Sequence, residues 1–353
     1  MAQQLTIKQI AEKAGVSVGT VDRILHNRGS VSSEALKAVQ DVLRTCNYRK
    51  NIHRSATAFK KTGKSISLAV AIPYSNEGEY WDLVKKGINR GLTEYGDITI
   101  DCKFAHFNQF DLFSFREAYN SILKNSFDAV IIAPIFVDET REFCKKLDKN
   151  WGGEKTPYVF VDGSIQDCNP IGSYMADQGA CGRLMARMID AFTPDKAEVA
   201  IFLPKRVGTL LSNNSILRTK SFREYYSTIN PDRILKEGYY SSDSPENNIQ
   251  EIKQFLCENP TVKGIAVMIS TGYMISDALA AENITDICVG GYDATHGNVR
   301  CIKEDSLTFI INQHPEQQGF NCLESILHYL LYGSKDDNTQ ETLSIDVVLK
   351  ENI

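Results

Sequence analysis

The sequence predicts an α/β protein: a small all-α head followed by a two-lobed body built on doubly wound parallel sheets. Three observations carry this prediction. Short, capped amphipathic segments fill residues 5–49. From Ser65 onward, β-rich apolar runs alternate with helical stretches, the pattern of parallel sheets covered on both faces. The alternation repeats on either side of about residue 165, which predicts two similar lobes. With 353 residues, 42% apolar and 24% charged, the chain has material for two or three compact units.

The head is legible residue by residue. Thr6 is an N-cap, and Gln9 three positions on completes a capping box. Ile10, Ala11 and Ala14 repeat at helical spacing, and Gly15 ends the helix where positive φ is needed. Val16 plugs the turn. Ser17 caps a second helix whose buried stripe is Val21, Ile24 and Leu25. Asn27 and Gly29 break the chain within residues 26–31, and Ser32 caps a third helix with the stripe Leu36, Val39, Leu43 and Cys46. Two short helices about a tight turn, braced by a third, form a helix-turn-helix, whose second helix lies in the DNA major groove. Its N-terminal residues Ser17, Val18, Gly19, Asp22 and Arg23 are expected at base edges and flanking phosphates. Lys8, Arg28, Ser30, Arg49 and Lys50 are expected on the phosphate backbone. Thr6, Thr20 and Asn51 complete the candidate DNA-contacting set.

Charge agrees with that division. Residues 1–64 hold 12 lysines and arginines against 4 acidic residues, a net +8, and the remainder holds 27 against 40, a net −13. A basic head on an acidic body points to a polyanion partner for the head alone. Residues 50–64 (KNIHRSATAFKKTGK) form a basic linker between the two.

In the body, strands are expected at 66–72, 98–104, 128–133, 157–161, 198–203, 234–240, 263–269, 286–291 and 307–312. The first lobe is expected to hold about 65–164 and 293–320, and the second about 165–292 and 321–353. Ligands in doubly wound sheets sit beyond the carboxyl ends of strands. The residues there are Tyr80 and Trp81, Asp162, Arg218, Thr271, Asp293 and Gln313. Two carboxylates, an arginine, an amide and two aromatics suit a sugar, which presents apolar C–H faces and a ring of hydroxyls.

Other classes find less support. The nine cysteines include no C-x-x-C pair and read as small core residues of a reducing cytosol. Neither a signal peptide nor an apolar run of about 18 residues is visible, so the protein is expected in the cytoplasm, away from membranes. No histidine spacing fits a metal site, and no cofactor or metal is expected. Residues 15–19 (GVSVG) spell a nucleophile elbow, but a helix precedes them where a strand is required. Residues 60–65 (KKTGKS) end like a phosphate-binding loop, but Ala58 stands where its first glycine belongs and a strand follows. The rival readings are a sugar receptor without a DNA role and an α/β enzyme acting on a sugar.

The segments TIKQIAEKAGVSVGTV, RILHNRG and VS, followed by Tyr48, Arg49 and Asn51, resemble the head of the lactose-repressor (LacI) family of bacterial transcription regulators. In that family the two residues after the capping serine of the second helix choose the operator bases, here Val18 and Gly19. Val18 offers only apolar contact, such as a thymine methyl, and Gly19 offers none. Lys50 stands in place of a proline, and Thr57 where a leucine is wedged into the minor groove, with Phe59 the bulky residue nearby. The body resembles the ribose-binding, type I periplasmic binding protein fold through YWDLVKKG, PYVFVD, Arg218 ahead of Phe222, GGYD and QHPEQQG. Gly163 stands where sugar binders often place arginine, and Ser270 or Thr271 where asparagine is usual. The resemblance implies a homodimeric regulator, a repressor by expectation, on a pseudo-palindromic operator, controlled by a carbohydrate effector between the lobes.

Overall fold

The computed structural model describes residues 6–25, 31–45, 65–149, 155–205, 213–241, 245–332 and 340–353. The expected linker, with Lys50, Thr57 and Phe59, lies outside the described residues, as do Arg28, Ser30, Arg49 and Asn51.

Three helices make the head: α1 (Ile7–Ala14), α2 (Val18–Leu25) and α3 (Ser33–Thr45). The Thr6–Gln9 capping box is formed, and Gly15 closes α1 in the left-handed region at φ 65°. Ser17 Oγ accepts from the Thr20 amide at 3.0 Å, and Ser32 Oγ from the Ala35 amide at 3.2 Å, so both helix starts are satisfied by their expected caps. Ile10, Ala11, Val21 and Val39 form the core, with Ala14, Val16, Ile24 and Val42 against it. Leu36, expected in the buried stripe of α3, is exposed instead. Val39 and Val42 take the inward side of that helix.

The body contains β1 (Ile66–Pro73), α4 (Tyr80–Glu94), β2 (Ile100–Phe107), α5 (Leu112–Leu123), β3 (Ala129–Ile132), α6 (Val137–Lys149), β4 (Tyr158–Val161), β5 (Gly172–Ala176), α7 (Gln178–Phe192) and β6 (Glu198–Pro204). There follow α8 (Asn213–Ile229), β7 (Leu235–Tyr240), α9 (Pro245–Glu258), β8 (Val262–Val267), α10 (Gly272–Ala281), β9 (Cys288–Tyr292), α11 (His296–Lys303) and β10 (Phe309–Asn312). The chain closes with α12 (Pro315–Tyr332), β11 (Gln340–Leu343), β12 (Asp346–Val348) and a 3₁₀ turn at Lys350–Asn352. Two six-stranded sheets result, ordered β11-β5-β4-β3-β1-β2 and β12-β10-β9-β8-β6-β7. The pairings are parallel except β10 with β12. The inner strands β1, β3 and β6 are apolar on both faces, as sheets covered on both sides require.

The sheets correct the expected lobe division. Strand β5, which had not been expected, pairs with β4 and extends the first lobe to Ala176. Its sequence, GSYMA, holds no β-branched residue, so its propensity signal is weak. Residues 293–312 belong to the second lobe, because β10 pairs with β9. Helix α12 belongs to the first lobe. Its Gly319 meets α4 so closely that a Cβ would run into the Val84 carbonyl, and Gly87 meets the Glu316 carbonyl in the same way. The C-terminal strands then divide, β11 joining the first sheet and β12 the second. The chain therefore crosses between lobes after β5, after β10 and after β11. Among the described residues no helix is long and apolar enough to cross a membrane.

Candidate functional site

The start of α2 is the exposed feature of the head. Val18 is 50% exposed, and Gly19 lies next to it on the same open side. The Arg23 guanidinium folds back, donating from Nε to the Gly19 carbonyl at 3.2 Å, which steadies a cation beside the helix start. Thr20 shares a hydrogen bond of 2.8 Å with Ser17 Oγ, so its hydroxyl serves the cap. Thr6 is likewise engaged in its capping box with Gln9. Lys8 is exposed and Asp22 half-buried.

The second site is a cleft of about 340 Å³ between the lobes, at the carboxyl ends of both sheets. Of the seven residues expected there, Tyr80, Trp81, Asp162, Arg218 and Thr271 line it. Asp293 and Gln313 do not. Both are fully buried and stand behind the wall, where they hold Arg218. Asp162 and Asp293 end β4 and β9 in the left-handed region, each at φ 61°, a conformation aspartate tolerates better than most residues. Each amide bonds across to the neighbouring strand, Asp162 to the Tyr174 carbonyl and Asp293 to the Ile311 carbonyl, both at 2.9 Å.

Arg218 is the centre of a closed network and is only 4% exposed. Its Nε donates to Gln178 Oε1 at 2.6 Å, Nη1 to the Met268 carbonyl at 3.0 Å and Nη2 to Gln313 Oε1 at 2.7 Å. The guanidinium lies over the Tyr292 ring, 4.2 Å from its centroid. Gln178 Nε2 also donates to Gln313 Oε1, at 3.0 Å. The Gln313 amide and Nε2 donate to the Asp293 carboxylate at 2.9–3.1 Å, and Ser270 Oγ donates to its other side at 2.6 Å. Asn298 spans the backbone carbonyls of Tyr292, Asp293 and Ser270. Thr271 Oγ1 is bonded to Tyr240 Oη at 2.6 Å.

Two buried polar atoms of the lining stand outside this network. Among the described residues, Asp162 Oδ1 and Tyr80 Oη make no hydrogen bond of good geometry, although the two side chains lie close enough to influence each other. Burial pushes the Asp162 carboxyl up to about 7, with the Arg218 guanidinium pulling it back toward ionisation. Asp293 is raised by burial too, again against the pull of Arg218. The Tyr80 phenol is raised well above its ordinary range by burial and by the carboxylates of Asp162 and Asp293, so it is a neutral hydroxyl.

Among the described residues three bonds join the lobes around the cleft. Asn214 Nδ2 donates to the Asp162 carbonyl at 2.9 Å. Tyr273 Oη donates to Glu79 Oε1 at 3.0 Å, and the His296 amide donates to the Gly78 carbonyl at 3.0 Å. Gly78 holds φ 79°, and a Cβ there would collide with the His296 imidazole. Burial raises the Glu79 carboxyl, opposed by the Tyr273 bond and by His296.

Reading the sequence by strand ends missed Gln178, Glu79, Asn214, Tyr273 and Asn298. Gln178 follows β5, the strand that propensity did not reveal, and its capping neighbour Asp177 was the available signal. The others sit at helix starts or on helix faces, where polar side chains are usually solvated.

A helix-turn-helix head followed in the chain by a two-lobed body with a cleft between its lobes is the class these features define. Residues 6–51 match the model of the bacterial regulatory proteins of the lacI family, and residues 68–335 match the periplasmic binding protein domain. The chain belongs to the periplasmic binding protein domain family and carries a head that matches the bacterial regulatory proteins of the lacI family. The ribose operon repressor of Lactococcus lactis is 32% identical over 246 residues, 70% of this chain and 66% of that protein. The uncharacterised regulator YkvZ of Bacillus subtilis is 39% identical over 90 residues, 26% of this chain and 27% of its own length. The matches thus span from about a quarter to just under two thirds of these curated relatives. Among solved structures, one assigned as a LacI transcriptional regulator from Bacteroides fragilis superimposes with a TM-score of 0.77 at 29% identity, over 82% of this chain and 98% of that one. GanP, a glucose-galactose binding protein from Geobacillus stearothermophilus, superimposes with a TM-score of 0.69 at 18% identity, over 82% and 99%, a likeness of fold.

Proposed function

We propose that this chain is a cytoplasmic DNA-binding transcription regulator whose operator affinity is set by a polyhydroxylated small molecule held between the lobes. Asp162 Oδ1 and Tyr80 Oη carry the ligand half of the proposal. Buried polar atoms without partners cost free energy unless something bonds them, and hydroxyl groups of a sugar supply both a donor for the carboxylate and an acceptor for the phenol. The Arg218–Gln178–Gln313–Asp293 network keeps the opposite wall rigid, so little ordering is needed on binding. Aromatic faces at Tyr80, Trp81 and Tyr273 suit the apolar C–H surface of such a ligand. The ribose operon repressor named above supports the same ligand class.

The DNA half rests on the exposed start of α2 and on the +8 charge of residues 1–64. A homodimer places two such helices about one DNA turn apart on a pseudo-palindromic site. Ligand-dependent closure of the lobes changes the separation of the two heads, and coupling of this kind is typically about 1–3 kcal/mol, roughly 5 to 150-fold in affinity. Repression follows if the bound dimer obstructs transcription. No step of this function requires catalysis by the chain.

The test is selection of bound fragments from sheared genomic DNA by the full-length protein at graded salt, with and without a panel of sugars. The proposal expects a salt-sensitive preference for a few fragments that one ligand class alters. Uniform binding, or selective binding indifferent to every ligand that raises the thermal stability of the protein, overturns it.

A further inference from the structure

The charge balance of the cleft points further, to the kind of polyol it takes. Among the described lining residues Arg218 is the single lysine or arginine, against two carboxylates, Asp162 and Glu79. The positive charge of Arg218 is already committed. Three of its N–H groups are donated to Gln178, Gln313 and the Met268 carbonyl, its face is covered by Tyr292, and Asp293 lies behind it through Gln313. Pairing Arg218 with Asp293 leaves Asp162 and Glu79 in excess. Glu79 is partly satisfied by Tyr273 and stands near His296. Among the described residues, Asp162 keeps one oxygen without a well-formed hydrogen bond, with the Tyr80 side chain as its neighbour. Around them stand the rings of Tyr80, Trp81 and Tyr273. Carboxylate together with aromatic faces is the combination that recognises a cation.

We propose that the effector is a polyhydroxylated ligand carrying a basic nitrogen, an amino sugar or an equivalent amino polyol, whose ammonium group is held by the Asp162 carboxylate. This rests on the cleft being a polyol receptor, as argued above. A charge-assisted hydrogen bond to a carboxylate is roughly twice as strong as a neutral one, and Glu79 adds a second negative charge to the lining of the same cleft. A neutral sugar can bond Asp162 but leaves the excess charge uncompensated. A phosphate ester brings its charge against two carboxylates, with most of the Arg218 donors already engaged.

The experiment is calorimetric titration and thermal shift of the full-length protein at pH 7.5 with matched triplets: D-glucose, D-glucosamine and D-glucose 6-phosphate, and the galacto and manno counterparts. The expected result is an amino sugar binding at least about tenfold more tightly than its neutral parent, with no shift from any phosphate ester. In Asp162→Asn that ratio should collapse toward one. Glu79→Gln should lower it while the protein remains folded. If a neutral parent or a phosphate ester equals or exceeds the amino sugar, the basic-nitrogen inference is overturned and the polyol receptor stands. If none of the nine compounds binds, the polyol reading fails and this inference with it.

Discussion

Replacing Arg218 is the sharpest test of how the cleft is built. Arg218→Met keeps much of the length of the side chain and its packing on Tyr292 but removes three hydrogen bonds and a buried charge. Bonds from a charged donor are worth about 1.5–3 kcal/mol each, so the gross loss is large. The recovered desolvation of the guanidinium offsets part of it. What remains is the cost of leaving Asp293 and the amide oxygens of Gln178 and Gln313 without their cation, and breaking a buried charged partnership typically costs about 3–5 kcal/mol. Whole domains are stable by only about 5–15 kcal/mol. Arg218→Met should therefore lower the urea midpoint of the body steeply and abolish ligand-induced stabilisation, while the head keeps its salt-dependent affinity for DNA. A loss below about 1 kcal/mol, measured by urea unfolding followed by circular dichroism, would refute the claim that this network holds the cleft.

Gly78→Ala should prevent closure of the rim, since a Cβ there collides with His296 and the positive φ adds about 1–2 kcal/mol of strain. The expected readouts are a larger radius of gyration by X-ray scattering in the presence of ligand and weaker ligand binding. An unchanged radius at saturation argues against closure at this point. Asp162 makes both stability and binding depend on pH. Because burial raises its pKa, its contribution to the ligand-free fold is complete below the ordinary value of 3.8 and is lost as pH rises through about 7. A ligand that donates to the ionised carboxylate should show the opposite trend, its affinity rising as pH climbs through about 7 and, for an amino sugar, falling again once the ammonium group loses its proton. Asp162→Asn should flatten both profiles, and a wild-type affinity that is constant from pH 5.5 to 8 contradicts this assignment. Arg23→Ala should weaken operator binding and reduce the salt slope by about one without changing the melting of the body; equal affinity and slope in anisotropy titrations would remove Arg23 from the interface.

Local chemistry was legible in the chain, and long-range pairing was not. The caps at Thr6, Ser17 and Ser32 and the turn at Gly15 are decided within about four residues, so side-chain identity alone located them. The alternation of apolar runs with helical stretches likewise declared parallel sheets, because a strand buried on both faces must be apolar on both. Tertiary structure decided which sheet each late segment joined. It sent α12 to the first lobe and β10 to the second, through close glycine contacts and backbone ladders that leave little trace in composition. It also decided that Asp293 and Gln313 support Arg218 from behind the cleft wall. Gln178 and Gln313, 135 residues apart, share one guanidinium, and no periodicity over a short window can register a hydrogen bond made across that distance.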